Sequence, residues 1–136
     1  MKNLCVLFLV IFLSNCASMQ YGNFTVASQS KDIYLAKDAA SQLTQVYPPA
    51  QNTFYISQKV SDGFGINLIH EMRNKGYGVI ENVQPKQKAN FFYVVDEIKP
   101  GYIYRVSLYV GSQTFSRIYV KTKEKIAPAS LWSHKE

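Results

Sequence analysis

Hydrophobic positions that recur every three to four residues predict two amphipathic helices in this chain. The first helix is predicted from about Lys31 to Tyr47, because Pro48-Pro49 cannot continue it. The second follows Ser61 or Asp62, either of which can cap its N-terminus, and it stops at Gly76. The positions that define the two apolar faces are Ile33, Ala36, Ala40, Leu43 and Tyr47, then Phe64, Leu68, Ile69 and Met72.

Five further stretches have the composition of β-strands. They are residues 53–57, 77–83, 91–98, 102–110 and 113–120. The last three form a meander, and Gly111-Ser112 is suited to a two-residue type II′ hairpin turn. The sequence therefore predicts an α+β fold: a mixed or antiparallel sheet, two helices packed on one face, and a C-terminal β-meander.

The predicted hairpin turn fixes which residues face each other. Leu108 is expected opposite Phe115, Val106 opposite Arg117, and Tyr104 opposite Tyr119. This face, which also carries Val110, is the more apolar one, so it is predicted to pack against the helices.

The N-terminal residues have a different pattern, typical of an export signal. Lys2 precedes an apolar run from Leu4 to Leu13, which is shorter than the roughly 20 residues that span a bilayer. Leu13-Ser14-Asn15-Cys16 then resembles a lipoprotein processing box, so Cys16 is the predicted site of palmitate attachment. The alternative is an ordinary secretory signal with an incidental cysteine. Ala17 favours sorting to the outer membrane, with the domain in the periplasm.

These features divide the chain into three parts. Residues 1–15 are expected to be a lipoprotein signal peptide, and residues 16–30 an acylated cysteine with a flexible tether. Residues 31–136 are expected to form a single α+β domain, since this length suffices for one core.

Charge and candidate chemistry add little to this picture. The net charge is +6, and the lysines lie in scattered clusters that favour solvated turns over a nucleic-acid stripe. Such lysines could also contact anionic lipid headgroups. His70-Glu71 has Asn74 where a zinc-protease helix needs its second histidine. We therefore expect no catalytic residue, metal, cofactor or small-molecule substrate.

Protein–protein binding is the chemistry that the sequence favours. Arg105 and Tyr109 are residue types that anchor interfaces, on a sheet face that helices do not fully cover. Phe24 and Val26 could add as a short strand to a neighbouring subunit, or belong to a passive spacer. Trp132 is either a core residue that pins the tail or an interface anchor.

Six segments in order resemble the TrbH family of conjugal transfer lipoproteins, and the resemblance covers nearly the whole chain. They are Tyr47-Pro48-Pro49-Ala50, Asp62-Gly63-Phe64-Gly65, Lys75-Gly76-Tyr77-Gly78-Val79, Tyr104-Arg105-Val106-Ser107-Leu108, Ser116-Arg117-Ile118-Tyr119 and Ala127-Pro128-Ala129-Ser130-Leu131-Trp132.

The resemblance implies an outer-membrane lipoprotein component of a type IV secretion or mating-pair formation apparatus. Its partners would be other channel subunits and, through the lipid on Cys16, the membrane. A stand-alone binding lipoprotein, such as a surface-exclusion factor or an inhibitor of a host enzyme, is the alternative.

Overall fold

The computed structural model describes residues 20–136, which form two α-helices, two short 3₁₀ turns and eight strands in the predicted α+β arrangement. The helices are α1 (Gln29–Val46) and α2 (Gly63–Asn74). The strands are β1 (Gly22–Asn23), β2 (Thr53–Tyr55), β3 (Gly78–Ile80), β4 (Phe91–Lys99), β5 (Ile103–Val110), β6 (Gln113–Lys121), β7 (Ile126–Pro128) and β8 (Ser133–Lys135).

The main sheet is mixed, as predicted. Its order is β1-β4-β5-β6-β7, and β8 also pairs with β6. Only β1 runs parallel to its neighbour, β4, and the other pairs are antiparallel. The predicted hairpin register is confirmed at all three pairs, including Leu108 opposite Phe115. Gly111 has a φ of 58° at the first turn position, which glycine adopts without strain.

The strands that flank α2 pair with each other in parallel and form a separate two-stranded sheet. Both are shorter than the sequence predicts, since β2 ends at Tyr55 and β3 at Ile80. Side-chain amides continue the hydrogen bonding from this small sheet to β4. The Tyr93 N–H donates to Oε1 of Gln58 at 2.9 Å, and the Tyr55 N–H donates to Oδ1 of Asn90 at 2.7 Å.

The core lies between the two helices and one face of the main sheet, as the apolar pattern predicts. Fully buried side chains from both layers meet there, and the largest are Tyr93, Tyr119, Phe54, Phe64, Phe91, Phe115, Leu35, Leu43, Ile56, Leu68, Met72 and Leu108. Asp62 is the residue that caps α2, and its carboxylate accepts from the Gly65 N–H at 2.9 Å.

Residues 21–26 are held against the domain, although the sequence predicts a flexible tether over residues 16–30. β1 pairs with Val94 and Val95, and the Phe24 N–H donates to the Val95 carbonyl at 2.8 Å. Helix α1 accordingly begins at Gln29, two residues before the predicted start. The physical cause is side-chain anchoring of this segment to α1 and the sheet.

Lys31 provides much of that anchoring. Its buried ammonium donates to the Val26 carbonyl at 2.8 Å and to the Thr25 hydroxyl, and it pairs with Asp32 at 3.2 Å. The same ammonium lies 5.3 Å from the centre of the Tyr104 ring. The segment before α1 is therefore held by a desolvated charge as well as by β1.

Among residues 20–136, neither helix is long and apolar enough to cross a bilayer. The predicted signal peptide, residues 1–15, and the predicted lipid site, Cys16, lie outside the described residues.

Candidate interaction surface

The face of the main sheet opposite the helices is the surface to which Arg105 and Tyr109 contribute. We call it the open face, because neither α1 nor α2 covers it within the described residues. Alternation along three strands places on it Phe92, Val94, Asp96, Ile103, Arg105, Ser107, Tyr109, Thr114, Ser116 and Ile118. Most of these side chains keep some exposure, in contrast to their neighbours on the helix side.

Three aromatic rings form a cluster at one end of the open face. Tyr21 stacks on Phe92 with 4.3 Å between ring centres, and it meets the edge of Tyr109 at 5.5 Å. Tyr109 is thus a half-buried member of a preformed aromatic patch. Tyr21 was not predicted to belong to this surface, although an aromatic ring in a segment of small and polar residues was the available signal.

Arg105 lies further along the same face and forms a two-point ion pair with Asp96. Its Nε atom donates to Oδ1 at 3.0 Å, and a terminal nitrogen donates to Oδ2 at 2.5 Å. The hydrogen bond to Asp96 raises the pKa of Arg105 against the opposing effect of burial. The guanidinium is nevertheless accessible, with 45% of its side chain exposed. The pair holds a planar, charged group in a fixed orientation toward solvent.

Trp132 lies away from the open face, against the edge of the core. Its ring lies 6.0 Å from the guanidinium carbon of Arg117, whose Nε atom donates to the Ser130 carbonyl at 2.9 Å. The Ser130 hydroxyl in turn accepts from the Ile118 N–H at 3.0 Å. Trp132 thus packs where the C-terminal tail returns to the domain.

Phe24 and Val26 lie in the segment before α1, and both side chains are exposed. The Phe24 N–H already donates to Val95, and the Val26 N–H donates to Oε1 of Glu97 at 3.4 Å. Strand pairing in this region is therefore made within the chain, at β1. What remains available to a partner at these two positions is the side chains.

Two buried tyrosines join the helix side of the sheet to the helices. Tyr119 donates to Asp38 of α1, and Tyr93 donates to Asp62 at the start of α2, each at 2.5 Å. Burial, followed by the hydrogen bond to the carboxylate, raises the pKa of both phenols far above the ordinary value. Arg117 completes the first site through two bonds to Asp38, at 3.0 and 2.9 Å. These polar groups are satisfied structural links between layers.

The Asp62-Gly63-Phe64-Gly65 segment now has a structural explanation. A Cβ atom on Gly65 would lie 2.0 Å from the Tyr93 hydroxyl, and one on Gly63 would lie 2.7 Å from Oδ2 of Asp32. Both glycines therefore permit α2 to approach its neighbours closely. Close packing of α2 therefore accounts for both glycines of the segment.

Residues 20–136 hold no group of three or more His, Cys, Asp or Glu side chains placed to bind a metal ion. His70 is exposed on α2, and Asp96 and Glu97 point to opposite faces of the sheet.

No curated protein and no solved structure matches this chain. One family model does match, that of the conjugal transfer protein TrbH, over residues 18–136. The match includes the Asp62-Gly63-Phe64-Gly65 segment, the β5–β6 hairpin and the C-terminal tail. The chain therefore belongs to the TrbH family of conjugal transfer proteins.

Proposed function

We propose that this protein is an outer-membrane lipoprotein that helps to assemble or stabilise a type IV secretion channel for conjugative transfer. Membership of the TrbH family supports the place in a transfer system. The apolar run from Leu4 to Leu13, with Cys16 shortly after it, supports export, removal of residues 1–15 and acylation of the cysteine. The domain would then face the periplasm, bound to the membrane by covalent lipid.

The role proposed for the domain is binding, without enzymatic activity, specific nucleic-acid contact or a small-molecule substrate. The observation that carries it is the open face, where the Tyr21–Phe92–Tyr109 cluster adjoins the accessible Arg105–Asp96 pair. Aromatic rings and arginine are the residues that most often dominate binding energy at protein interfaces. The partner would be another channel subunit.

The test combines anchoring and binding in one mating assay. Cys16→Ser should release the protein from outer-membrane fractions and lower the frequency of conjugation. Arg105→Ala should lower that frequency while the protein stays anchored. Normal transfer by the released Cys16→Ser protein would refute the anchored role.

Arg73→Ala is the matched control for Arg105→Ala. Arg73 also forms an exposed ion pair, with Glu81 at 3.0 Å, but it lies on α2. The proposal requires that only the Arg105 variant impairs transfer. Capture of a soluble host enzyme, with no channel subunit, would instead indicate a stand-alone inhibitor.

A further inference from the structure

One end of the main sheet combines exposed lysines with exposed apolar side chains, and we call it the lysine end. Its lysines lie at the close of β4 and along the β6–β7 hairpin, and its apolar members come from three separate segments. The set is Lys99, Lys121, Lys123 and Lys125, with Phe24 (55% exposed), Val26 (80%), Ile98 (51%) and Tyr102 (59%).

Hydrogen bonds hold these segments together. The Glu97 carboxylate accepts from the Val26 N–H and, at 3.1 Å, from the Gly101 N–H. The Lys121 N–H donates to the Tyr102 carbonyl at 2.8 Å. The chain before α1, the β4–β5 turn and the β6–β7 hairpin therefore form one continuous surface.

The lysines of the hairpin are not engaged in ion pairs within the described part of the chain. Lys121, Lys123 and Lys125 form no ion pair within residues 20–136, and Glu124 is the one acid among residues 121–126. They border a groove of about 580 Å³ that runs between the hairpin and Val26, with Tyr34 and Tyr104 also lining it. A partner at this groove should carry negative charge.

The position of the predicted anchor indicates which partner this is. Tyr21 is already packed on the sheet, so five residue steps separate it from Cys16. Such a span extends at most about 18 Å, which is shorter than the diameter of a domain of this size, roughly 30 Å. A lipid on Cys16 therefore keeps some surface of the domain next to the bilayer.

Charge favours the lysine end as that surface. Lys99 lies about 23 Å along β4 from Phe92, where Tyr21 packs, and β1 runs parallel to β4, so the chain enters the domain at the Phe92 end. Because this distance exceeds the reach of the anchor, docking by the lysine end requires β4 to lie tilted toward the membrane plane. On the open face, by contrast, the Arg105 cation is already paired with the Asp96 carboxylate. Residues Phe24 and Val26, which follow the anchor closely in sequence, are themselves part of the lysine end.

We propose that the lysine end docks on the anionic phospholipid surface of the membrane that holds the anchor. The lysines meet headgroup phosphates, and the exposed apolar side chains enter the interfacial layer. This inference rests on the proposed acylation of Cys16, which supplies the nearness of the bilayer. It leaves the open face directed away from the lipid and available to a channel subunit.

A fluorophore on an introduced cysteine tests the docking. With Cys5 removed and Cys16 acylated, Tyr102→Cys would be the one free thiol of the mature chain. The acylated protein is incorporated in vesicles with or without phosphatidylglycerol. The emission of an environment-sensitive dye at position 102 should shift to shorter wavelength on vesicles with phosphatidylglycerol and stay unchanged on vesicles without it. The emission of the same dye at Ser112→Cys, in the turn between β5 and β6, should not shift.

Charge reversal supplies a matched pair of variants. Lys121→Glu with Lys123→Glu should abolish the shift at position 102 and, in the non-acylated Cys16→Ser chain, weaken binding to anionic vesicles by about fivefold or more per lysine. Lys86→Glu with Lys88→Glu makes the same charge change just before β4, at the opposite end, and should leave both readings intact.

Flotation of the wild-type protein with vesicles separates the two proposals. If the chain is not acylated and does not float, the anchoring proposal fails and the docking inference fails with it. If the protein floats but the emission of the dye at position 102 does not shift on anionic vesicles, the docking inference alone is overturned.

Discussion

The Tyr119 hydroxyl donates a 2.5 Å hydrogen bond to Asp38, linking the C-terminal part of β6 to α1. The Tyr93 hydroxyl makes the equivalent bond to Asp62 at the start of α2. A tyrosine–aspartate hydrogen bond thus links each of the two helices to the sheet, at a separate point. Because both phenols are fully buried, their ionisation is coupled to folding.

Alkaline pH should destabilise the domain through these two phenols. Their folded-state pKa values lie above the unfolded value of 10.0, so unfolding releases protons at high pH. The stability they contribute is complete below pH 10 and falls as pH rises further, by up to about 1.4 kcal/mol per unit for each phenol. Urea unfolding between pH 8 and 11.5 measures this decline.

Phenylalanine variants provide the control. Tyr93→Phe with Tyr119→Phe should cost about 1 kcal/mol per lost bond at pH 7 and flatten the alkaline decline. A residual slope should remain, because burial also raises the pKa of Tyr47, Tyr77 and Tyr104. An unchanged slope in the double variant would contradict the assignment.

Gly65→Ala should destabilise the domain by about 2 kcal/mol or more, because the new methyl group would overlap the Tyr93 hydroxyl. Thermal unfolding measures the loss. Ile66→Ala, at the next position and 55% exposed, is the control and should have a small effect. Combining Gly65→Ala with Tyr93→Phe should recover part of the loss, because the closest clash is with the hydroxyl oxygen. Simple additivity of the two changes would argue against this contact.

Lys31→Met should cost about 3 kcal/mol, since it leaves the buried Asp32 carboxylate without its cation. It should also release the segment before α1, because Lys31 bonds to Thr25 and Val26. Denaturant titration and amide exchange at Phe24 report the two effects. Lys37→Met, an exposed position on the same helix, should change neither.

The two helices and the meander could be predicted because each has a local signal. Asp62 caps the start of α2, Gly76 follows its end with a positive φ, and Gly111 fixes the register of the β5–β6 hairpin. β1 has no such signal, since two residues show no periodicity and their partners lie 72 residues further along the chain. Strands β7 and β8 were also missed, because each has only three residues, too few to show a strand pattern, and β7 includes Pro128.

The candidate site was predicted only in part, because only some of its contacts follow from a local sequence pattern. Alternation along β5 places Arg105 and Tyr109 on one face, which the sequence shows directly. The contribution of Tyr21 depends on long-range pairing of β1 with β4 and could not be inferred from local pattern. The environment of Trp132 likewise depends on how the tail returns to Arg117.

The Tyr21 stack should order the entry to the domain. Tyr21→Ala should remove about 1 kcal/mol of aromatic packing and increase the exposure of Phe92 and Tyr109. Amide exchange at residues 22–24 should then quicken, while exchange in α2 stays the same. Tyr55→Ala, on the small sheet, is a control of equal size change and should leave residues 22–24 protected.

Photo-crosslinking at Tyr109 in mating cells tests the central claim, that the open face binds a channel subunit. A photoreactive amino acid at position 109 should give a crosslink to a transfer-channel protein, and Arg105→Ala should weaken it. The same group at position 55, on the small sheet, should give none. A crosslink at position 55 but not 109, or no crosslink at position 109 in cells that transfer DNA normally, would contradict the account.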